Sequence, residues 1–182
     1  MTKVKIYTGI GSRDVGQHTA AKLKTIATEL AELGYVLRSG AADGCDQAFE
    51  SGAGKKADIY LPWKGFNNSK STLFDLPKSR EAYDIAKSIH PAWGELTGGG
   101  RRMHIRNVFQ VLGDDLDDPS QFLICWTRLG REMGGTRTAL VLAKQHNIPI
   151  FNFGLQRVVD GYDKYGVKFF TGECNDSTIC ES

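Results

Sequence analysis

The sequence predicts an α/β protein, with a parallel sheet covered by helices on both faces in three layers, α/β/α. Short β-rich segments alternate with amphipathic helical segments over residues 4–61, a pattern typical of parallel strands joined by right-handed crossovers. The near-continuous apolar run over residues 122–127 fits a central parallel strand buried on both faces. Glycine-rich turns follow three of the expected strands and precede three expected helices.

The first 61 residues read as strand, helix, strand, helix, strand. Apolar residues recur at helical spacing in the first helix, which Gly34 ends. The expected strands cover residues 4–8, 35–38 and 57–61, and the expected helices cover 19–33 and 46–52.

The middle of the chain, about residues 64–118, reads as a helical insertion or lid within the domain. Helices are expected at 79–89 and 103–112, and the three glycines at 98–100 are expected to form a flexible joint.

Regular alternation then returns. Gly134, Gly135 and Thr136 open a helix that runs to about residue 146, and a strand is expected at 148–153. A C-terminal extension begins at about residue 155, in which residues 167–170 fit an edge strand. We expect one domain over residues 1–182, with ligands bound at the carboxyl ends of the strands.

Charge and hydropathy narrow the functional classes. The chain carries 23 basic and 21 acidic residues, a formal net charge of +2. A protein whose whole surface binds DNA is strongly basic, so we expect at most a local basic groove. No signal-peptide apolar region occurs, and no segment reaches about 18 consecutive apolar residues. We therefore expect no membrane partner and a cytoplasmic location.

The cysteines and histidines show no metal-ligand spacing. No CxxC pair occurs and the four histidines are scattered. Cys125 lies in an apolar run and is expected to be buried, whereas Cys174 and Cys180 lie in a polar tail and are able to pair. The sequence therefore predicts no metal, and no motif in it requires a cofactor.

The glycine turns indicate a phosphate site. Glycine lets the backbone approach a ligand closely, and free N–H groups at a helix start favour an anion. Neither the dinucleotide fingerprint nor the Walker A loop is present. The expected phosphate-binding residues of the turns are Gly9, Gly11, Ser12, Arg13, Ser39, Gly40, Ala41, Gly134, Gly135, Thr136 and Arg137.

The densest basic segment lies at residues 101–107. Arg102 and Arg106 are four residues apart, so both are able to point the same way on a helix. With Asn107 they form either a lid that closes on a phosphate or a solvated basic face at a helix start. The sequence leaves both interpretations open.

Four blocks in chain order carry a family resemblance. They are residues 10–13 (Ile-Gly-Ser-Arg), 39–46 (Ser-Gly-Ala-Ala-Asp-Gly-Cys-Asp), 106–107 (Arg-Asn) and 135–139 (Gly-Thr-Arg-Thr-Ala). Together they resemble the Rossmann-like domain of the DprA/Smf family, within the SLOG superfamily that also includes the LOG phosphoribohydrolases. The resemblance covers about residues 4–153. The compact form, with His90-Pro91-x-Trp93, is similar to short DprA-like proteins encoded by phages, which would place the chain in the host cytoplasm.

The resemblance implies that the glycine turns line a nucleotide pocket and that Arg106 and Asn107 face single-stranded DNA phosphate. Related domains often assemble, so it also implies a possible homo-oligomer. LOG enzymes carry a glutamate where this chain has Ala139. The resemblance to LOG enzymes therefore does not by itself supply a catalytic carboxylate.

Other carboxylates are candidates for catalysis. Cleavage of a nucleotide N-glycosidic bond needs a carboxylate to stabilise an oxocarbenium-like centre or to activate water. Asp43 and Asp46 follow the second glycine turn, and Glu132 precedes the third. The structural alternative is favoured for each: Asp43 caps the next helix, Asp46 bonds backbone in its first turn, and Glu132 is exposed.

Three functions follow from these observations. The first is binding of a nucleotide or nucleotide-derived ligand, for sensing or sequestration. The second is DprA-like binding of single-stranded DNA in DNA processing or recombination. The third is hydrolysis of the N-glycosidic bond of a nucleoside 5′-monophosphate. The fold alone does not choose among them.

Overall fold

The computed structural model describes residues 4–173, which contain five parallel strands in the order β3-β2-β1-β4-β5. All four strand pairs are parallel, which confirms the predicted sheet. The strands are β1 Lys5–Gly11, β2 Tyr35–Ser39, β3 Ala57–Ile59, β4 Phe122–Trp126 and β5 Ile150–Asn152.

Helices cover both faces of the sheet, because apolar side chains project from each face of a central parallel strand. One core unites α1, α2, α6 and α7 with the sheet, and the second unites α3, α4 and α5 with the opposite face. The helices are α1 Gln17–Glu32, α2 Cys45–Ala53, α3 Ser79–Ile89, α4 Gly98–Leu112, α5 Arg137–Gln145, α6 Gln156–Tyr165 and α7 Lys168–Thr171.

The strand order reverses between β1 and β4. The two strands are paired from Tyr7 opposite Phe122 to Gly11 opposite Trp126, and the chain leaves β1 toward one side of the sheet and β4 toward the other. In sheets of this kind a crevice opens beyond the carboxyl ends at the point of reversal. The turns after β1 and β4 therefore face each other across this crevice.

The three glycines at 98–100 are the first turn of α4 and not the predicted flexible joint. The Thr97 side chain accepts a hydrogen bond from the Gly100 N–H at 3.0 Å, and Thr97 is the N-cap. A side-chain cap satisfies a donor that would otherwise lack a partner in the first turn. The cap and the burial of the apolar residues of α4 in the core together offset the low helix propensity of the three glycines.

Residues 167–170 do not form the edge strand that fits the sequence. Gly166, at φ 58°, ends α6, and the chain continues into the short helix α7. Phe169 and Phe170 are neighbours in sequence and are both buried in the same core. A strand would direct them to opposite faces, so the helical turn is the arrangement that buries both rings together.

The remaining expectations about the fold concern the cysteines and membrane-spanning segments. Cys125 is fully buried, as predicted, and Cys174 and Cys180 lie outside the described residues. Across residues 4–173, no helix combines the length and hydropathy that a membrane crossing requires.

Gly44 and Gly54 flank α2 and form a matched pair for testing its entry turn. Both have positive φ with strongly negative ψ, at 79° and −115° for Gly44 and 57° and −122° for Gly54. A Cβ at Gly44 would lie 2.6 Å from the Ser12 carbonyl oxygen, whereas nothing lies within 4 Å at Gly54.

We expect Gly54→Ala to lower the free energy of unfolding by about 1–3 kcal/mol through backbone strain alone. Gly44→Ala should lower it by at least about 2 kcal/mol more, because backbone atoms must also move apart. Urea denaturation of both variants measures the difference. Equal losses would contradict the close packing of the β1 turn on the start of α2.

Candidate functional site

A cleft of about 620 Å³ opens where the carboxyl ends of β1 and β4 meet. This volume lies in the range of sites that hold nucleotide-sized ligands. Three parts of the chain form its walls: the turn after β1 at residues 11–14, one face of α4, and the β4–α5 loop at residues 127–136.

The α4 wall is a single face of the helix. Met103, Arg106, Asn107 and Gln110 all line the cleft, and their spacing of three, four and seven residues brings them to one side. Val108, Val111 and Leu112 on other sides of α4 are buried in the core, which fixes the helix against the sheet. The sequence pattern of α4 thus separates a polar cleft face from an apolar core face.

Arg106 is buried, with 7% of its surface exposed. One terminal nitrogen, Nη1, donates a hydrogen bond to the Gly40 carbonyl in the turn after β2. The Nε donates to the Asn107 Oδ1 at 3.2 Å, and the guanidinium carbon lies 5.9 Å from the centre of the Phe66 ring. Burial lowers the pKa of Arg106, and the negative charge of Asp46 opposes that shift.

Asn107 performs the matching role on the other side of the cleft. Its Nδ2 donates a hydrogen bond to the Gly135 carbonyl in the turn before α5. Neighbouring residues of α4 therefore hold two glycine turns that are about one hundred residues apart in the chain. These contacts fix the width of the cleft.

Asp46 is the buried acid of the site, with 3% of its surface exposed. Burial raises its pKa to about 6. The Arg106 guanidinium and hydrogen bonds from the backbone of Ala42, Gly11 and Gly40 act in the opposite direction. Asp46 was expected to bond backbone within the first turn of its own helix; its backbone partners lie instead outside α2, at the end of β1 and in the turn after β2.

The other two candidate carboxylates lie outside the cleft lining. Asp43 is exposed, and its Oδ1 accepts a hydrogen bond from Asn67 Nδ2 at 3.4 Å. The prediction that Asp43 caps α2 is wrong, because Gly44 is the N-cap and no side chain bonds there. Glu132 is half-buried and forms an ion pair with Lys144 of α5, which corrects its expected exposure.

Eight of the predicted phosphate-binding residues come together in the cleft. They are contributed by the turn after β1, by α4 and by the turn before α5, and so derive from three separate blocks of the sequence. The eight are Gly11, Ser12, Arg13, Arg106, Asn107, Gly134, Gly135 and Thr136.

The remaining six are not part of the cleft lining. Gly9, Ser39, Gly40 and Ala41 lie behind it, where the Ser39 hydroxyl donates to the Gly9 carbonyl at 2.7 Å. Arg102 is exposed beside a smaller hollow of about 150 Å³. Arg137 directs its Nη1 to the Glu132 carbonyl at 3.4 Å.

The β4–α5 loop supplies cleft residues that the sequence reading missed. Leu129 and Met133 leave 68% and 64% of their surfaces exposed at the cleft. Arg128 and Arg131 lie beside them and are also exposed. The sequence did contain a signal for them: two arginines and two apolar residues lie directly before the glycine pair at 134–135.

The cleft carries an excess of positive charge. Four arginines line it, Arg13, Arg106, Arg128 and Arg131, against the two carboxylates of Asp14 and Asp46. Within residues 4–173, no hydrogen bond or ion pair engages the side chains of Arg13, Arg128 and Arg131. Such a field attracts anions. The same part of the chain brings no three His, Cys, Asp or Glu side chains together for a metal ion.

The buried Asp46 predicts a specific dependence of stability on pH. Because its pKa rises from 3.8 to about 6 on folding, the ionised form is disfavoured in the native state. The resulting destabilisation is absent below the unfolded-state pKa and complete above the native-state pKa.

We expect the wild type to lose about 3 kcal/mol of unfolding free energy relative to Asp46→Asn between about pH 4 and about pH 7. Denaturation of both proteins across this range measures the difference. Asp43→Asn, an exposed neighbour, is the control and should follow the wild-type curve. Parallel curves for wild type and Asp46→Asn would contradict the burial of a carboxylate at this position.

Comparison with known proteins finds two similar solved structures. No family model matches the chain, and no curated protein matches it. One similar solved structure is DNA processing protein A from Helicobacter pylori, described for its single-stranded DNA binding mode. It is 18% identical, with a TM-score of 0.49, over 82% of this chain and 64% of that one.

A second similar structure is the molybdenum cofactor carrier protein from Chlamydomonas reinhardtii. It is 16% identical, with a TM-score of 0.47, over 91% of this chain and 87% of that one. The chain thus spans 64% of the length of DNA processing protein A. Functional interpretation therefore rests on the cleft itself.

Proposed function

We propose that the cleft binds a nucleotide or nucleotide-derived ligand through its phosphate, for sensing or sequestration. The observation that carries this proposal is the buried Arg106, which is fixed to the glycine turn after β2. Its Nη1 and Nε are engaged, whereas its Nη2 has no hydrogen-bond partner within residues 4–173. A guanidinium that is fixed by the protein and retains free donors is well suited to a phosphate oxygen.

The glycine turn before α5 adds backbone donors to the same site. The N–H groups of Gly134 and Gly135 donate no hydrogen bond to backbone in the described part of the chain. A Cβ at either glycine would meet nothing within 4 Å, so a ligand has room to approach. Free backbone N–H groups in such a turn, next to the positive end of the nine-residue helix α5, favour an anion.

Apolar side chains support a ligand that is more than inorganic phosphate. Met103, Leu129 and Met133 line the cleft, and the last two are largely exposed. Methionine and leucine contact flat rings well and lose water on doing so. A nucleotide combines such a ring with a phosphate in one molecule.

Single-stranded DNA is the second candidate ligand. Arg13, Arg128 and Arg131 are exposed and line the cleft, so they are placed to contact phosphates that extend out of it. A positively charged groove that follows the backbone is one part of the usual arrangement for a single strand. The charge is local, which agrees with the formal net charge of +2.

We do not propose hydrolysis of the N-glycosidic bond. Of the three candidate carboxylates, Asp46 lines the cleft, and backbone hydrogen bonds from two turns together with the Arg106 charge engage it. These contacts assign it to holding the turns in place. Release of free base from a nucleoside monophosphate would overturn this assignment.

Arg106→Lys tests the nucleotide site, with Arg102→Lys as its matched control. Arg102 lies one turn earlier on α4 and beside the other hollow. Lysine keeps the charge but not the forked donors, so we expect nucleotide affinity to fall by at least about tenfold in Arg106→Lys. Arg102→Lys should bind as the wild type does.

Native mass spectrometry and calorimetry with the four nucleoside 5′-monophosphates measure this effect, and thermal unfolding shows that each variant is folded. Equal affinities for the two variants would place the phosphate elsewhere. Absence of binding by the wild type would refute the nucleotide proposal.

Salt dependence tests the single-strand alternative. A protein that neutralises phosphates of a single strand shows a slope of log affinity against log salt of about −0.7 per contact. Replacing both Arg128 and Arg131 by alanine should therefore reduce the slope for a short oligothymidylate by about 1.4. The same double substitution at Arg80 and Arg157, exposed on α3 and α6, is the control. If both double variants show the same slope as the wild type, the result would argue against DNA contact at this loop.

A further inference from the structure

Two opposite charges are buried in the walls of the cleft. Asp46, near the start of α2, leaves 3% of its surface exposed, and Arg106 of α4 leaves 7%. Both residues line the cleft. Charged side chains are almost never buried unless an opposite charge balances them, so the free energy of each depends on the other.

The turn after β2 holds both charges in place. The Gly40 carbonyl accepts a hydrogen bond from the Arg106 Nη1, and the Gly40 backbone N–H donates to the Asp46 carboxylate. The backbone N–H groups of Gly11 and Ala42 add two further hydrogen bonds to that carboxylate. Neither charge is therefore free to move away when a ligand enters the cleft.

The charge that acts on Asp46 is that of Arg106. Burial raises the pKa of Asp46 to about 6, and the Arg106 guanidinium opposes that shift. Helix α1 and strands β1, β2 and β3 also pack on α2, and none of their charged side chains within residues 4–173 shifts that pKa. On α2 itself, the neighbouring Cys45 thiol stays protonated, because burial raises its pKa to about 12. The other charged side chains that line the cleft are Arg13, Asp14, Arg128 and Arg131.

A phosphate changes this balance. In the free protein, one negative charge on Asp46 faces one positive charge on Arg106. The phosphate of a nucleoside 5′-monophosphate carries between one and two negative charges near neutral pH. Once it binds to Arg106, it shares the positive charge that had balanced Asp46. A like charge nearby disfavours the ionised form of a carboxylate.

We propose that Asp46 and Arg106 couple phosphate binding to the uptake of a proton: as the phosphate binds to Arg106, the Asp46 carboxylate takes a proton from solvent and becomes a neutral carboxyl group. This inference rests on the proposed nucleotide-binding function. Asp46 is then a positioning residue, because it acts on the ligand through the charge of Arg106 and needs no contact with the ligand.

The proton goes to Asp46 and not to the phosphate, because the surroundings of the two groups differ. Exposed Arg13, Arg128 and Arg131 line the cleft, and with the glycine turn before α5 they favour the ionised phosphate. Asp46 is buried and faces Arg106 alone. A protonated carboxyl group keeps an oxygen that accepts hydrogen bonds, so its contacts with the backbone are retained.

Asp46→Asn removes the titrating group, and Asp14→Asn is the matched control, because Asp14 is an exposed carboxylate that lines the same cleft. The probes are the four ribonucleoside 5′-monophosphates. Calorimetry in buffers of different ionisation enthalpy measures both the affinity and the number of protons taken up on binding. Thermal unfolding shows that each variant is folded.

The sign of the pH dependence follows from the free protein. Below the Asp46 pKa of about 6 the carboxyl group is already protonated, and binding takes up no proton. Above that pKa, binding has to draw a proton from solvent, so the affinity falls as the pH rises. Ionisation of the phosphate itself contributes equally to all three proteins.

We expect the wild type to take up about half a proton more than Asp46→Asn near about pH 6.5. The ratio of the Asp46→Asn affinity to the wild-type affinity should increase by about fivefold or more between about pH 5.5 and about pH 8. A residue that only held the turns in place would change the affinity by the same factor at every pH. Asp14→Asn should keep the wild-type pH profile.

The outcomes separate the two proposals. If the wild type binds nucleotides and takes up no more protons than Asp46→Asn, proton coupling through Asp46 is refuted and the phosphate site stands. If the wild type binds no nucleotide, the proposed function fails and this inference fails with it. Should Asp46→Asn not fold, the carbon-13 resonance of the Asp46 carboxyl group in the wild type provides the test. Its titration midpoint must move to higher pH when a nucleotide binds, and an unchanged midpoint refutes the coupling.

Discussion

The buried guanidinium of Arg106 is the interaction on which the cleft depends. An uncompensated charge inside a protein is strongly destabilising, so its surroundings must be arranged for it. The Gly40 carbonyl and Asn107 accept its hydrogen bonds, and the Asp46 carboxylate supplies the opposite charge. Gly40 has to be glycine, because a Cβ there would collide with the guanidinium. The requirement for glycine in the turn after β2 therefore comes from an arginine on a distant helix, whether or not a ligand also requires it.

The sheet and most helices follow from local sequence patterns. Apolar runs, helical spacing and glycine turns act over a few residues, and they identify all five strands to within a few positions. One failure has a local cause and the other a tertiary cause. The glycines at 98–100 form the first turn of α4, which Thr97 directly before them caps. Phe169 and Phe170 form a helical turn because one core receives both rings, and most members of that core are far away in the sequence.

The candidate site was likewise predictable from the sequence only in part. Glycine turns at strand ends and the Arg106-Asn107 pair are visible in the sequence, and the structure brings them to one cleft. Burial is what the sequence did not reveal. Asp43 and Asp46 are three residues apart and follow the same glycine turn, yet Asp43 is exposed and Asp46 is buried. Burial also distinguishes Gln110, whose amide atoms have no hydrogen-bond partner within residues 4–173.

The walls of the cleft come from parts of the chain that are far apart in sequence: residues 11–14, 103–110 and 127–136. Contacts of such long range form late in folding, because the entropy of closing large loops must first be overcome. None of these three segments therefore forms the site by itself. A ligand that binds only the assembled cleft stabilises the whole domain by mass action, so its concentration in the cell would also set how long the folded protein survives.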